Sequence, residues 1–403
     1  MEAAAQQPPG CCAGNLRARA FRLNPDCELV LFDQLSVEQQ KTLSALRQDP
    51  SFYGLVRWHS ATGLGAKAVS NDTAALLQAL KEPGCLPDSA FDEPGTELAT
   101  TQLVWDGVLQ IARDREWLCG PAACSLTSGD SIAEQRALAN LSLQAIKHAA
   151  ALRATSPMEL SGHLYRYNTL PLTPQWLRRI PDQAALQEYL QIQTGGRNRR
   201  ELDASWSRVL PAAEQGAWLA WTSPKTSGKA GAITYKLYLS PLPSQLRDAF
   251  RIWLAAITRA GAFHFKMGSG VRGLLRPDKM VAYFGDRKAL EEAAELIAKE
   301  LSGCPAQGVP FTAEVNCGAL MSWGADPPTE ETVPTWLRRQ SWRQWVCNRL
   351  GAALAVAKHY ESDAMPVWRF ALERLRLDGV DVSSWAPVST EWQLQSAEEV
   401  ALI

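Results

Sequence analysis

Between Lys236 and Lys279 the sequence carries eight basic side chains, Lys236, Arg247, Arg251, Arg259, Lys266, Arg272, Arg276 and Lys279, against two acids, Asp248 and Asp278. The whole chain has a formal net charge of only −1. A local surplus inside a neutral chain points to a compact anion such as phosphate, because a nucleic-acid surface usually makes the whole domain basic. Arginine suits phosphate, since its planar fork donates two parallel hydrogen bonds, while lysine acts as a movable point charge. Arg272 and Arg276 are therefore the expected phosphate-binding residues, with Lys279 as a further candidate.

These residues need short strands to hold them. The segment YKLYLSP alternates, with Lys236, Tyr238 and Ser240 on one face and Leu237 and Leu239 on the other. AFHFKMG alternates too, setting His264 and Lys266 opposite Phe263, Phe265 and Met267. LLRPDKMVAYF reads as a third strand that Pro277 confines to an edge or a bend. GVPFTAEV and ALMSWG read as two more. Gly268-Ser-Gly270-Val-Arg-Gly273 matches GxGxxG, but Leu-Leu-Arg-Pro-Asp-Lys leads it into a strand rather than opening a helix, so a dinucleotide fold is not expected. Its backbone N–H groups remain a candidate phosphate cradle.

Around these strands the pattern predicts helices over about 244–259 and over DRKALEEAAELIAKELSG, whose inner stripe is Leu290, Ala294, Ile297 and Leu301. It predicts a long helix in TWLRRQSWRQWVCNRLGAALAVAKHY, another in PVWRFALERLRLDG, and a polar one near 182–192. GHLYRY reads as a strand and GGRNRR as a basic solvated loop. Upstream, 28–80 reads as helix, ribbon, helix, with Ser36 opening the first helix and Asp72 capping the second. Residues 84–100 read as a surface loop. LVWDGVLQIARDREWLCG reads as two strands, and Ser131-x-x-Glu134 as a capping box for the next helix. The expected fold class is α+β: an antiparallel-rich sheet domain flanked by helices over 156–403, a smaller N-terminal α/β module over 28–155, and a disordered tail over 1–27.

With 403 residues and 46% apolar content, two globular domains are expected. No apolar run approaches the ~20 residues that span a bilayer, and the N-terminus has no secretory pattern. Nine dispersed cysteines without paired CxxC spacing imply a reducing compartment, so a cytoplasmic location without membrane contact is expected. The five histidines show no metal-ligand spacing, and GxxxxGK[ST], HExxH and GxSxG are all missing from the sequence. No metal, cofactor or nucleic-acid partner is expected, and there is no kinase signature.

The stretches KLYLSP, AFHFKMG, LLRPDKMVAYF, GVPFTAE and SWGADPP, with LVWDGVLQI and LERLRLDGVD, resemble the HopA-like effector family over most of the chain. That family has relatives in the gene clusters of class V lanthipeptides and thioamitides, and it is related to the phosphothreonine lyases. The resemblance implies a lyase that removes phosphate from phosphoserine or phosphothreonine of a ribosomal precursor peptide, leaving dehydroalanine or dehydrobutyrine. It implies a separate Ser/Thr kinase as partner and the phosphorylated precursor peptide as substrate, with the N-terminal module a candidate for docking either. The lyase pattern is a Lys-x-His strand followed by a strand bearing the lysine base. By position Lys266 would be the base and Lys236 a phosphate or carbonyl contact, while Tyr238 stands where the acid histidine belongs and His264 is its rival.

The chemistry asks for the same residues. β-Elimination needs a base at Cα, a positive site for the developing enolate and neutralisation of the departing phosphate. A free lysine, with pKa ~10.4, is mostly protonated at neutral pH, so a lysine base has to be depressed by burial or by neighbouring cations. Two other readings stay open: a non-catalytic phosphopeptide-binding or kinase-scaffold protein, which would keep the arginines without a depressed lysine, and a secreted effector acting on host phosphoproteins.

Overall fold

The computed structural model describes residues 19–44, 46–59, 64–86, 96–125, 136–209, 218–224, 233–315, 318–327 and 340–388. The architecture is α+β, with fourteen helices and only antiparallel strand pairs among the described residues.

The N-terminal part runs β1 (Ala20–Leu23), β2 (Cys27–Leu31), α1 (Val37–Thr42), β3 (Phe52–Trp58), β4 (Ala66–Ser70), α2 (Asn71–Ala79), β5 (Gly84–Cys85), α3 (Thr96–Trp105), β6 (Leu109–Arg113), β7 (Glu116–Leu118) and α4 (Gly120–Cys124). Ser36 opens α1 as expected, and does so with a capping box: its hydroxyl accepts from Gln39 N–H, and Gln39 Oε1 accepts from Ser36 N–H. Ser70, not Asp72, caps α2 by accepting from Thr73 N–H. Val104 and Trp105, read as strand, end α3 instead; of the expected loop over 84–100, Gly84 and Cys85 form β5 paired with β1, residues 87–95 lie outside the described residues, and α3 starts at Thr96. β1 lies within the stretch read as a tail, and Phe21 is fully buried there. The Ser131 and Glu134 capping box falls outside the described residues.

The chain continues through α5 (Ala137–Ala151), α6 (Pro157–Arg166), α7 (Pro174–Arg179), α8 (Gln183–Tyr189), α9 (Arg197–Ser205), β8 (Ser207–Val209), β9 (Trp218–Thr222), β10 (Tyr235–Leu239), α10 (Leu246–Arg259) and β11 (His264–Gly268). Then follow α11 (Val271–Leu274), β12 (Met280–Phe284), α12 (Arg287–Glu300), β13 (Ala313–Glu314), β14 (Met321–Ala325), α13 (Trp342–His359), α14 (Val367–Leu377), β15 (Val380–Asp381) and β16 (Ala386–Pro387). GHLYRY is helical, not extended. Pro157 stands in the first turn, where its missing N–H breaks nothing, so SPMEL starts α6 after ending α5. GGRNRR forms the first turn of α9, held by Asn198 Nδ2 donating to Leu190 O at 2.7 Å and by burial of Leu202.

Seven strands form one sheet in the order β13-β14-β10-β12-β11-β9-β8. One face, including Leu237, Leu239, Phe265, Met267 and Phe284, joins an apolar cluster with Phe250, Trp253, Leu290 and Ile297 of α10 and α12. This cluster takes residues from Ile180 to Ala325 only. The other large cluster takes residues from Phe21 to Leu164 together with Phe311 and residues from Trp342 to Trp385, so α13 and α14 share a core with the N-terminal half. Pro277 lies before β12 rather than in it, and β12 is a central strand, hydrogen-bonded to β10 and β11 along its length.

Candidate active site

The sheet register assembles the site. Lys236, Tyr283 and His264 lie in one row across β10, β12 and β11, and Tyr238, Val281 and Lys266 lie in the next. Strand alternation turns all six away from the apolar cluster and onto one face, because their neighbours Leu237, Phe265, Ala282 and Phe284 point the other way. Trp218, on the same face of β9, completes this surface at its rim.

The lysines meet over aromatic rings. Lys236 Nζ is 5.0 Å and Lys266 Nζ 5.9 Å from the centre of the Tyr283 ring. Lys266 Nζ is also 4.3 Å from the Trp218 ring, over which the Arg276 guanidinium sits at 4.8 Å. Lys236 is ion-paired to Asp326 at 2.6 Å. Arg276 grips Asp278 through Nε at 2.8 Å and Nη2 at 2.9 Å. Arg343, from the first turn of α13, reaches the same carboxylate at 2.8 Å, and the Tyr165 hydroxyl of α6 donates to it at 3.2 Å.

Among the described residues Lys266 alone of these cations has neither an ion pair nor a hydrogen bond. Burial and the nearby Lys236 pull its pKa down to about 8. Burial, with Lys266 and Lys236 alongside, pulls His264 down to about 4, so its imidazole is neutral at pH 7. Burial likewise lowers Lys236, opposed by Asp326, and raises the Tyr238 and Tyr283 phenols, which keep their protons. Asp278 stays ionised despite burial because Arg343 and Arg276 hold it. The site's cations are Lys236, Lys266, Arg276 and Arg343 and its carboxylates Asp278 and Asp326. With every one charged, two positive charges are uncompensated. Such a surface can bind a phosphomonoester dianion, roughly −1.5 to −2 at neutral pH, and can offer it a lysine that deprotonates near neutrality.

The remaining expected residues lie elsewhere. Arg272 is exposed on α11, and among the described residues it makes no hydrogen bond, ion pair or ring contact with the site. Lys279 is fully buried and donates to Pro241 O at 3.0 Å and Gln307 Oε1 at 2.5 Å, an anchor for a loop rather than a free cation. Of the GxGxxG glycines, Gly268 serves packing: a Cβ on it would come within 2.4 Å of the Gly273 backbone, whereas one on Gly270 would meet nothing within 4 Å. Sequence reasoning did not single out Tyr165, Trp218, Tyr283, Asp326 and Arg343. Alternation in MVAYF could have found Tyr283. No local signal marks Arg343, whose helix reads as core.

No protein-family model matches this chain, and no curated protein matches it. Solved structures do. The effector protein from Pseudomonas syringae pv. tomato strain DC3000 is 16% identical over 62% of this chain and 97% of that one, with a TM-score of 0.38. The effector protein from Pseudomonas syringae pv. syringae strain 61 is 14% identical over the same shares, with a TM-score of 0.34. The type III effector/phosphothreonine lyase OspF from Shigella flexneri is 12% identical over 30% of this chain and 69% of that one, with a TM-score of 0.26. All three scores lie below 0.5, so what this chain does rests on its own residues. Among the described residues no group of His, Cys, Asp or Glu is arranged to hold a metal, and no helix is long and apolar enough to cross a membrane.

Proposed function

We propose that this protein is a carbon–oxygen lyase that eliminates phosphate from phosphoserine or phosphothreonine in a peptide. The observation that carries the reading is Lys266: unpaired, drawn down to about 8, and set beside cations with uncompensated charge. Neutral Lys266 Nζ takes the Cα proton. The electrons of the Cα–H bond become the Cα=Cβ double bond, and the Cβ–O bond breaks with its pair leaving on phosphate. Lys236 stabilises the enolate that develops on the substrate carbonyl, and Arg276 neutralises the departing phosphate. His264 and Tyr238 keep neutral N–H and O–H groups at neutral pH, so either assists by hydrogen bonding to the leaving oxygen or by orienting the base.

The substrate best fitting this reading is a ribosomal precursor peptide phosphorylated by a separate kinase, giving dehydroalanine or dehydrobutyrine. The N-terminal module over 28–155 is the candidate docking surface for peptide or kinase. The full-length protein is mixed with a synthetic phosphopeptide, with chelator present and nucleotide absent, and the products are weighed by mass spectrometry. The expected result is loss of the elements of phosphoric acid from the peptide by wild type and not by Lys266→Ala. Equal elimination by Lys266→Ala overturns the assignment and leaves a phosphopeptide-binding protein.

A further inference from the structure

Asp278 does not belong to the chemistry above, yet it occupies the centre of the arginine clamp. Its two carboxylate oxygens take Arg276 Nε and Nη2, Arg343 Nη1 and the Tyr165 hydroxyl, all between 2.8 and 3.2 Å. It is only 4% exposed and rigidly placed between Pro277 and the buried Lys279. The planar fork of Arg276, the charge of Arg343 and a tyrosine hydroxyl are groups that suit a phosphate, while Arg343 is otherwise anchored on the backbone, its Nε donating to Pro310 O at 3.2 Å and its Nη2 to Tyr165 O at 3.0 Å. Here the set is closed on a carboxylate from the chain itself.

We propose that Asp278 is a resident counter-anion that holds down the site's affinity for phosphate. An internal carboxylate offsets the charge of Arg343 and takes the fork of Arg276, so an incoming phosphoryl group meets two surplus charges instead of three. On the lyase reading, this weakened grip is what lets the product phosphate leave after each turnover.

The test compares wild type with Asp278→Asn, and with Asp278→Ser, which also vacates volume beside the arginines. Inorganic phosphate is titrated into each full-length protein and binding is read by calorimetry. Both variants are expected to bind phosphate about tenfold more tightly, the scale of one nearby charge in a partly screened site. With a phosphopeptide, kcat is expected to fall and KM to fall with it, as product release slows. The acid limb of the kcat/KM profile is expected to move to lower pH. Lys266 faces Lys236 on β10 and Arg276 before β12, which depress it, and Asp278 and Asp326, which oppose them, while His264 on its own strand is neutral. Phosphate affinity decides: a carboxylate that only braced the fold would leave it unchanged in the folded variant, whereas the limb reports the charge of Asp278 on Lys266 in either case.

Removing Asp278 leaves the fully buried Arg343 without its carboxylate, so the variants are expected to be less stable and to recover melting temperature with added phosphate more than wild type does. Unchanged or weaker phosphate binding in a folded variant overturns the proposal, and so does a variant that stays unfolded in saturating phosphate. The titration needs no turnover: a wild type that binds phosphate but eliminates nothing sinks the lyase reading and leaves the counter-anion to be decided by the same comparison.

Discussion

The sharpest consequence of the site is a pH profile. At pH 7 a lysine titrating at about 8 is about one-tenth neutral, whereas an ordinary lysine at ~10.5 is neutral in roughly three molecules in ten thousand. Burial and Lys236 thus raise the reactive fraction about 300-fold, comparable with the ~10²–10⁴ that a positioned base contributes. The active form is the deprotonated one, so kcat/KM for phosphopeptide should climb about tenfold per pH unit from below and level off above about pH 8. The kcat limb should lie at higher pH, because a bound phosphate dianion favours the ammonium. Lys236→Gln supplies the perturbation. It removes a cation that depresses Lys266 and frees Asp326, which opposes that depression. Both effects raise the Lys266 pKa, so the limb should shift alkaline by about one unit, a change of ~1.4 kcal/mol, whatever happens to the plateau. Stopped elimination assays between pH 6 and 10 on one phosphopeptide measure it. A limb below pH 7, or one that moves towards acid in Lys236→Gln, would refute Lys266 as the base.

The neighbours of the base separate in the same assay. Tyr238→Phe removes a hydroxyl buried on the same face of the sheet as Lys266, on the other side of β12, and His264→Ala removes an imidazole neutral at pH 7; the variant with the larger fall in kcat identifies the group that assists the leaving oxygen. Arg276→Ala should weaken phosphopeptide binding and turnover together, since the arginine meets phosphate in the ground state, while Arg272→Ala on exposed α11 should leave both within about twofold of wild type. Comparable losses in the two arginine variants would mean that phosphate lies nearer α11 than the Trp218 rim.

How much of this was legible in the sequence follows from the range of each signal. Alternation is local, so it placed Lys236, Tyr238, His264 and Lys266 correctly on polar faces, and the stripe of α12 came out with its cap at Asp286. Strand order is not local. Nothing in KLYLSP and AFHFKMG says that MVAYF will lie between them and push Tyr283 between their polar side chains. The clamp was half legible: Arg276 stood out as a cation, but Asp278, counted as an opposing acid, turns out to bind it. The basic run also overcounted, because a charge at the surface and one at the sheet face look alike in sequence. Lys279 closes a loop and Arg272 faces solvent. GGRNRR and GHLYRY were misread for a related reason: their helices are fixed by what they bury, Leu202 in one and Leu160 with Leu164 in the other, rather than by propensity.

The two parts of the chain meet through α13, and that bears on what the N-terminal module is for. The first turn of this helix touches both carboxylates of the site: Trp342 N–H donates to Asp326 Oδ1 at 2.9 Å, and Arg343 holds Asp278 at 2.8 Å. Trp342 lies so close on Gly324 that a Cβ there would come within 2.4 Å of the indole. At the other end, the Tyr360 hydroxyl accepts from Asn24 Nδ2 at 2.8 Å and Trp58 Nε1 at 3.0 Å. Its ring packs on Gly107, whose φ of +78° and lack of a side chain leave room for it. α14 adds a buried network in which Arg374 bridges Asp106 and Asp378 while Lys67 reaches Asp106 at 2.5 Å. Cutting the chain at 155 would strip these partners from Tyr360 and Arg374 and bare the apolar side of the helix that fixes Asp326 and Asp278. The N-terminal half therefore supports the site. A fragment beginning at residue 156 would keep Lys266 on its strand while loosening the two carboxylates that set its charge.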